Sequence, residues 1–276
     1  MSTYVISDIH GSWTALQAIL ERAKFDPDRD HLIVLGDFIG RGIHSLEILT
    51  FLRQLGKNKT ILLGNHEIML LQIFYGTRRL NPNNRFEPIL DHPKVEEWIE
   101  WLCHQNFFHY HEEFKIVGVH AGIYPTWNIE ESVKRNDQLR KVFQDQKKRY
   151  QLLEQIKRNS AIISELPVPT QLATPLLDEE FSLAVFTRMR YLTDSGGLDF
   201  TTAVTPRESP EHLTPWYIKY QKEHPEQIVY FGHWASLTET GGQKWCQTLD
   251  KGYIWGLALM MRRLDDGKDF FFWHGE

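Results

Sequence analysis

Apolar positions in the first quarter of the chain switch repeatedly between two rhythms. Thr3-Tyr4-Val5-Ile6-Ser7 is a short β-branched and aromatic run, the signature of a strand, and it stops at Asp8 and Gly11. Trp13, Leu16, Ile19, Leu20 and Ala23 then recur at helical spacing until Asp26-Pro27. Leu32 to Leu35 is a second continuous run, halted by Gly36-Asp37. Leu46, Ile48, Leu49 and Leu52 predict a second helix that closes near Gly56. A third run, Thr60 to Leu63, ends at Gly64-Asn65 and leads into a helix from about Glu67 to Phe74. Apolar strands separated by helices predict an α/β fold with a parallel-type sheet covered on both faces.

The middle of the chain reads differently. From about Asn128 to Glu180 it is charged and helix-like, rich in Lys and Arg, and broken by Pro167, Pro169 and Pro175. That stretch is expected to be a mostly solvated helical insertion. Sheet character returns at Ile228-Val229-Tyr230 and from Tyr253 to Arg263. No internal repeat or flexible linker divides the chain. One domain over residues 1–276, with the insertion at about 128–180, is therefore expected.

Composition narrows the class. With 276 residues, 42% of them apolar, the chain can bury a large core without disulfides. Its two cysteines, Cys103 and Cys246, are too few for a disulfide framework and read as reduced thiols. The start of the sequence has no basic leader pattern, and the longest apolar stretch, about Tyr253 to Met261, is roughly half a membrane span. A cytoplasmic protein without membrane contact is expected. A formal net charge of -5 argues against nucleic-acid binding but leaves room for a small polyanion held by a few arginines.

Ligands of such sheets gather at the carboxyl ends of the strands. There the sequence places Asp8-Ile9-His10-Gly11, then Gly36-Asp37-Phe38-Ile39-Gly40-Arg41-Gly42, then Gly64-Asn65-His66-Glu67. Two later runs end in His120-Ala121-Gly122 and Gly232-His233-Trp234. Each segment alone is common; five in this order at strand ends are specific. Asp8 and His10 can point oxygen and nitrogen at one ion, and Asp37 has two oxygens with which to bridge two. Asn65, His120 and His233 complete a nitrogen and oxygen donor set without thiolate, which suits Mn, Fe, Co or Zn. Two ions of this kind lower the pKa of a shared water and clamp the oxygens of an in-line displacement. Arg41 is placed to hold a phosphate, and His66 to protonate a leaving oxygen. Trp216, following Pro215, offers a ring on which an adenine could stack.

Together these segments resemble the metallophosphatases of the phosphoprotein phosphatase superfamily. Phe186-Thr187-Arg188-Met189-Arg190, Pro215-Trp216 and Phe231-Gly232-His233-Trp234-Ala235-Ser236-Leu237 narrow the resemblance to the bacterial branch that hydrolyses diadenosine tetraphosphate. The resemblance covers nearly the whole chain and implies a central β-sandwich flanked by helices, in place of a plain doubly wound sheet. It also implies two divalent ions, Mn first and Co, Fe or Zn as alternatives. Asp8, His10, Asp37 and His233 would surround one ion and Asp37, Asn65 and His120 the other, with His120 and His233 open to exchange. Arg41 matches the branch's phosphate-binding arginine, and Arg188 or Arg190 would be a second phosphate contact. The implied reaction splits a dinucleoside polyphosphate symmetrically into two ADP, by in-line attack of a hydroxide held between the ions, with no obligate protein partner. A Ser/Thr protein phosphatase with the same metal centre is the alternative, and a binding scaffold that has lost catalysis is a more distant one. Gly40 speaks against the first, because protein phosphatases carry there an Asp that orients the acid histidine. The full ligand set speaks against the second.

Overall fold

The computed structural model describes residues 1–160, 165, 166, 168, 174–237 and 245–276. The first third follows the predicted alternation: β1 (Thr3–Ile6), α1 (Trp13–Ala23), β2 (His31–Leu35), α2 (Ser45–Gln54), β3 (Lys59–Leu62) and α3 (Asn65–Phe74). Then come α4 (Glu87–Leu90), α5 (Val95–Cys103), β4 (Phe108–His111) and β5 (Ile116–Val119). The charged middle forms α6 (Ile129–Gln144), α7 (Gln146–Ser160), β6 (Glu165–Leu166) and α8 (Pro175–Arg188). β7 (Tyr191–Leu192), β8 (Leu198–Asp199), β9 (Thr214–Pro215), α9 (Trp216–Glu223), β10 (Ile228–Phe231), β11 (Cys246–Thr248), β12 (Ala258–Arg263) and β13 (Asp269–Trp273) complete the chain.

Two sheets face each other. One has the order β13-β12-β1-β2-β3, with β1, β2 and β3 parallel and β12 antiparallel to β1. The other has the order β11-β10-β5-β4, with β10 parallel to both β5 and β11. The alternation along β1 and β2 shows why these runs lack polar positions. Val5, Ile33 and Leu35, with Met260 of the same sheet, point into a core shared with Ile116 and Tyr230 of the opposing sheet. Tyr4, Ile6, Leu32 and Val34 point the other way, into the larger core under the helices. Both faces are buried, so both carry apolar residues. The parallel segment predicted from periodicity is present, but its second face is covered by a sheet where a doubly wound fold would place helices. That difference separates the β-sandwich from the plainer reading, and apolar strand composition is the same in either case.

Two expectations change in detail. The strand expected from Tyr253 begins only at Ala258; Tyr253–Trp255 is a 3-10 turn held between Gly252 and Gly256, whose φ angles are 70° and 91°. The charged middle is helical, but some of its cations are pinned. Arg135 pairs with Glu131 and Asp178 and lies 4.1 Å from the Trp127 ring, and Arg149 is buried against the Tyr75 hydroxyl. Pro175 opens α8 at its first turn, where proline is favoured, while Pro167 and Pro169 lie outside the described residues.

Candidate active site

The loops leaving β1, β2, β5 and β10 are stitched to one another by main-chain bonds. Asp8 N donates to Gly36 O at 3.2 Å, His10 N to Asp37 O at 2.9 Å, and Gly232 N to His120 O at 2.7 Å. Held this way, Asp8, His10, Asp37, Arg41 and His233 all adopt positive φ, between 47° and 67°. Non-glycine residues pay on the order of 1–3 kcal/mol each for such conformations, so the surrounding bonds must over-determine them. Gly232 is required for a different reason: a Cβ there would overlap Ser7 Oγ and Asp8 Oδ2.

The side chains of Asp8, His10, Asp37, Asn65, His120 and His233 converge in this cradle. His10 Nε2 lies 3.8 Å from both Asp8 Oδ1 and Asp37 Oδ2, too far for a hydrogen bond and suited to an intervening cation. His120 Nδ1 donates to Leu35 O at 2.7 Å, which leaves Nε2 with a lone pair. That lone pair faces Asn65 Oδ1 at 3.2 Å and Asp37 Oδ1 at 3.4 Å, with no proton between acceptors. His233 Nε2 donates to Arg188 O at 3.1 Å, so its Nδ1 is likewise the free acceptor. The donor atoms of His10, Asp37 and His66 fall within 4.8 Å of one another, and so do those of Asp37, His120 and His233. Asp37 belongs to both groups, as a bridging carboxylate would. In this grouping His233 falls with His120 and Asp37. Its backbone N–H still donates to both oxygens of Asp8.

The charges in this pocket are frustrated. Burial, then the Asp250 and Asp37 charges, raise the Asp8 carboxyl well above its usual range; burial and the Glu67 charge do the same for Asp37. Burial lowers His10 and His120 to about 3, and drives His233 and His66 down as well. Buried acids held against one another and imidazoles held neutral are the donor set that a divalent cation stabilises. The residues present fit a pair of such ions.

Two acids of this pocket escaped the sequence reading. Glu67 is fully buried and accepts from the N–H groups of Asp37 at 2.9 Å, Phe38 at 3.1 Å and Gly64 at 2.7 Å, fixing the loop that carries Asp37. Burial raises it to about 7. Asp250, buried after β11, lines the same cavity as Asp8, His10 and Asp37. Its carboxylate accepts from Gly252 N, and burial raises it to about 6. Thr248-Leu249-Asp250-Lys251-Gly252 has the strand-end acid and glycine pattern of the other loops, and that signal could have found it.

His66 sits against His10, with ring centroids 4.6 Å apart, and its Nδ1 is buried without a partner. A Cβ at Gly40 would lie 2.6 Å from that atom, so the position at which the resemblance expects Asp in protein phosphatases adjoins the His66 ring and here leaves it unbraced. Arg41 and Arg190 border the cluster; Arg190 donates to His233 O at 2.8 Å. Arg188 ends α8 with its guanidinium 4.2 Å from the Phe200 ring. Among the described residues none of Arg41, Arg78, Arg188 and Arg190 makes an ion pair. Trp216 is a correction. It is wholly buried against Tyr220 and Phe231, so no face of its ring is open to a base.

The cluster lies where two cavities meet. One, about 350 Å³, is lined by Arg78, Arg188 and Phe200; the other, about 500 Å³, by Asp8, Arg41 and Trp255; Asn65, Arg190 and His233 border both.

A sandwich with acids, imidazoles and an amide at these strand ends defines a metallophosphoesterase. The profile of the calcineurin-like phosphoesterase family matches residues 1–256, and the chain belongs to that family. Among curated relatives it is 36% identical to a protein of Yersinia pestis (strain Pestoides F), over 98% of this chain and 91% of that one. It is 35% identical to one of Photorhabdus laumondii subsp. laumondii, over 98% and 96%. Both are named bis(5'-nucleosyl)-tetraphosphatase, symmetrical. Solved structures with the same fold include one provisionally named a diadenosine tetraphosphatase (TM-score 0.64, 18% identity, covering 99% of this chain and 94% of that one). Another is a cold-active protein-tyrosine phosphatase of a psychrophilic Shewanella (TM-score 0.56, 18% identity, covering 98% and 80%). At that identity the two structures speak to the fold alone.

Proposed function

We propose that this chain is a two-metal hydrolase of dinucleoside polyphosphates that splits diadenosine tetraphosphate symmetrically into two ADP. The observation that carries the reading is the position of the donor cluster at the junction of two cavities. That shape suits an anhydride with a nucleoside at each end. The names of relatives that align over nearly the whole chain support the same substrate.

Asp8, His10, Asp37, Asn65, His120 and His233 would hold the two ions; an oxygen and nitrogen donor set without thiolate suits Mn, Co, Fe or Zn, and we take Mn first. Such a pair, when bound, supplies an activated water and neutralises charge on the reacting phosphoryl group. Glu67, through the N–H groups of Asp37 and Phe38, fixes the loop that would present Asp37 to both ions. Arg41 and Arg190 bind non-bridging phosphate oxygens, where a planar guanidinium fork is well matched. His66, unbraced at Nδ1, would hydrogen-bond the departing ADP oxygen through a ring N–H and stabilise the charge that develops there. A protein phosphatase with the same centre would want a carboxylate beside that ring, and Gly40 provides none.

We place the reaction in one domain spanning residues 1–276, with the helices from about 128 to 180 as an insertion. It proceeds in the cytoplasm without nucleic acid, membrane or an obligate partner. Two free, buried thiols suit a reducing compartment. Among the described residues no helix is long and apolar enough to cross a membrane. The test is incubation with diadenosine tetraphosphate and Mn followed by nucleotide chromatography. ADP as sole product is expected; ATP plus AMP would overturn symmetrical cleavage, and turnover of phosphopeptides alone would favour the phosphatase.

A further inference from the structure

A substrate with two bases needs two places to put them, and Trp216 is not one. Among the described residues, Trp255 is the exposed aromatic of the outer cavity, with 65% of its surface open. No core contact explains a tryptophan there. Its turn is nonetheless built: Trp255 N donates to Gly252 O at 2.9 Å, and Gly252 N to the buried Asp250, which ties the turn to the metal cradle. The Arg41 guanidinium lies 5.6 Å from the ring centroid. Across the cluster the inner cavity repeats the pairing, with Arg188 4.2 Å from the half-buried Phe200.

Each cavity thus offers an arginine with no ion pair beside an aromatic ring. A nucleotide presents the complement, an anionic phosphate next to a flat π face. We propose that Trp255 and Phe200 are the two base-stacking positions of this site, one on each side of the metal centre, with Arg41 and Arg188 taking the adjoining phosphates. The proposal rests on the dinucleotide reading above. It adds specificity-determining residues on both sides and gives each half of the substrate its own contacts.

The experiment uses the full chain with Mn and compares wild type with Trp255→Ala, Phe200→Ala, Trp255→Phe and Phe200→Tyr. Calorimetry reads the binding of ADP and of inorganic tripolyphosphate, a probe without a base, and steady-state kinetics read diadenosine tetraphosphate. Two ADP molecules should bind each chain. Each alanine variant should lower the preference for ADP over tripolyphosphate at one site by roughly ten-fold, and raise KM for the dinucleotide similarly, because a base stack is worth about 1–3 kcal/mol. The aromatic replacements should restore most of both, which separates stacking from misfolding. An ADP preference that both alanine variants keep would overturn the proposal, as would aromatic replacements no better than alanine. If wild type splits the dinucleotide and both alanine variants keep its KM, the stacking positions fall and the activity stands. If wild type fails to split it, the activity falls, and the ADP measurement still decides the stacking.

Discussion

The cage of the site and its rim are built by different parts of the fold. Asp8, His10, Asp37, Asn65, His120 and His233 each lie within a few residues of a strand end, on loops bonded to one another through the main chain. Arg41, Arg78, Arg188, Arg190, Phe200 and Trp255 come from loops, the end of α8, the residue after β8 and a 3-10 turn. Main-chain bonds between these loops constrain the cage, and metal donors need to be held to within about 0.5 Å. The rim is positioned by how the insertion helices and late loops pack, which suffices for phosphates and bases.

The sharpest way to break this comparison is to exchange the expected costs. Asp37→Ala removes a donor shared by both halves of the cage, and turnover should fall about a thousand-fold or more, as when a main source of transition-state charge stabilisation is lost. His10→Ala should do nearly as much. Normal activity in either purified, Mn-loaded variant would remove the cage assignment.

Glu67→Gln sharpens the same comparison from beneath. The amide keeps the size and one acceptor oxygen but turns an NH2 toward main-chain N–H groups that now donate to a carboxylate. Mn affinity should drop by about 10–100-fold, the usual effect of disturbing a group that orients a ligand. Unchanged affinity by calorimetry would mean that the Asp37 loop holds its shape without Glu67. On the rim, Arg188→Ala should raise KM for diadenosine tetraphosphate by roughly ten-fold, the cost of a hydrogen bond to charge, while kcat changes less. A fall in kcat with KM unchanged would move Arg188 into the cage.

The same division governs what could be read from the chain. A donor that follows an apolar run within a few residues carries a local mark, and all six cage donors had it. Asp250 had it too but follows β11, three residues long and hidden among polar positions. Rim residues have no local mark: nothing beside Trp255 or Phe200 distinguishes them from core aromatics, and Trp216 looked equally eligible until its burial was known. The sandwich was illegible in periodicity for a related reason. A strand face buried under a sheet and one buried under helices ask for the same apolar residues, so only the resemblance separated them.

The cage should also reveal itself without substrate, through stability against pH. Glu67 and the Asp8 and Asp37 carboxyls are raised in the fold, so the folded chain holds protons that the unfolded chain has released, and stability falls as pH rises through their folded values. The lowered His10, His66, His120 and His233 act in the opposite sense, but only below the ordinary histidine range, where the unfolded state is protonated. Above about pH 6.5 the imidazoles are neutral in both states and only the acids remain. The Tm of the metal-free chain should therefore decline from pH 6.5 to about 8, and saturating Mn should flatten that decline by stabilising the ionised carboxylates. A metal-free Tm that is level over this window would mean that burial does not raise these acids in the fold.

The smallest effect on activity is expected at Trp216, and it separates the core from the rim. Its ring packs 5.2 Å from Phe231 and 5.9 Å from Tyr220, centroid to centroid, and its indole Nε1 is buried without a partner. Trp216→Phe loses packing volume but also removes that unsatisfied donor, so the two changes partly offset and stability should fall by about 1–2 kcal/mol. Because no face of the ring reaches either cavity, KM for diadenosine tetraphosphate and turnover per folded molecule should stay at their wild-type values. A rise in KM like that expected of Trp255→Ala would mean that α9 moves away from Phe231 when the dinucleotide binds, and would return Trp216 to the rim.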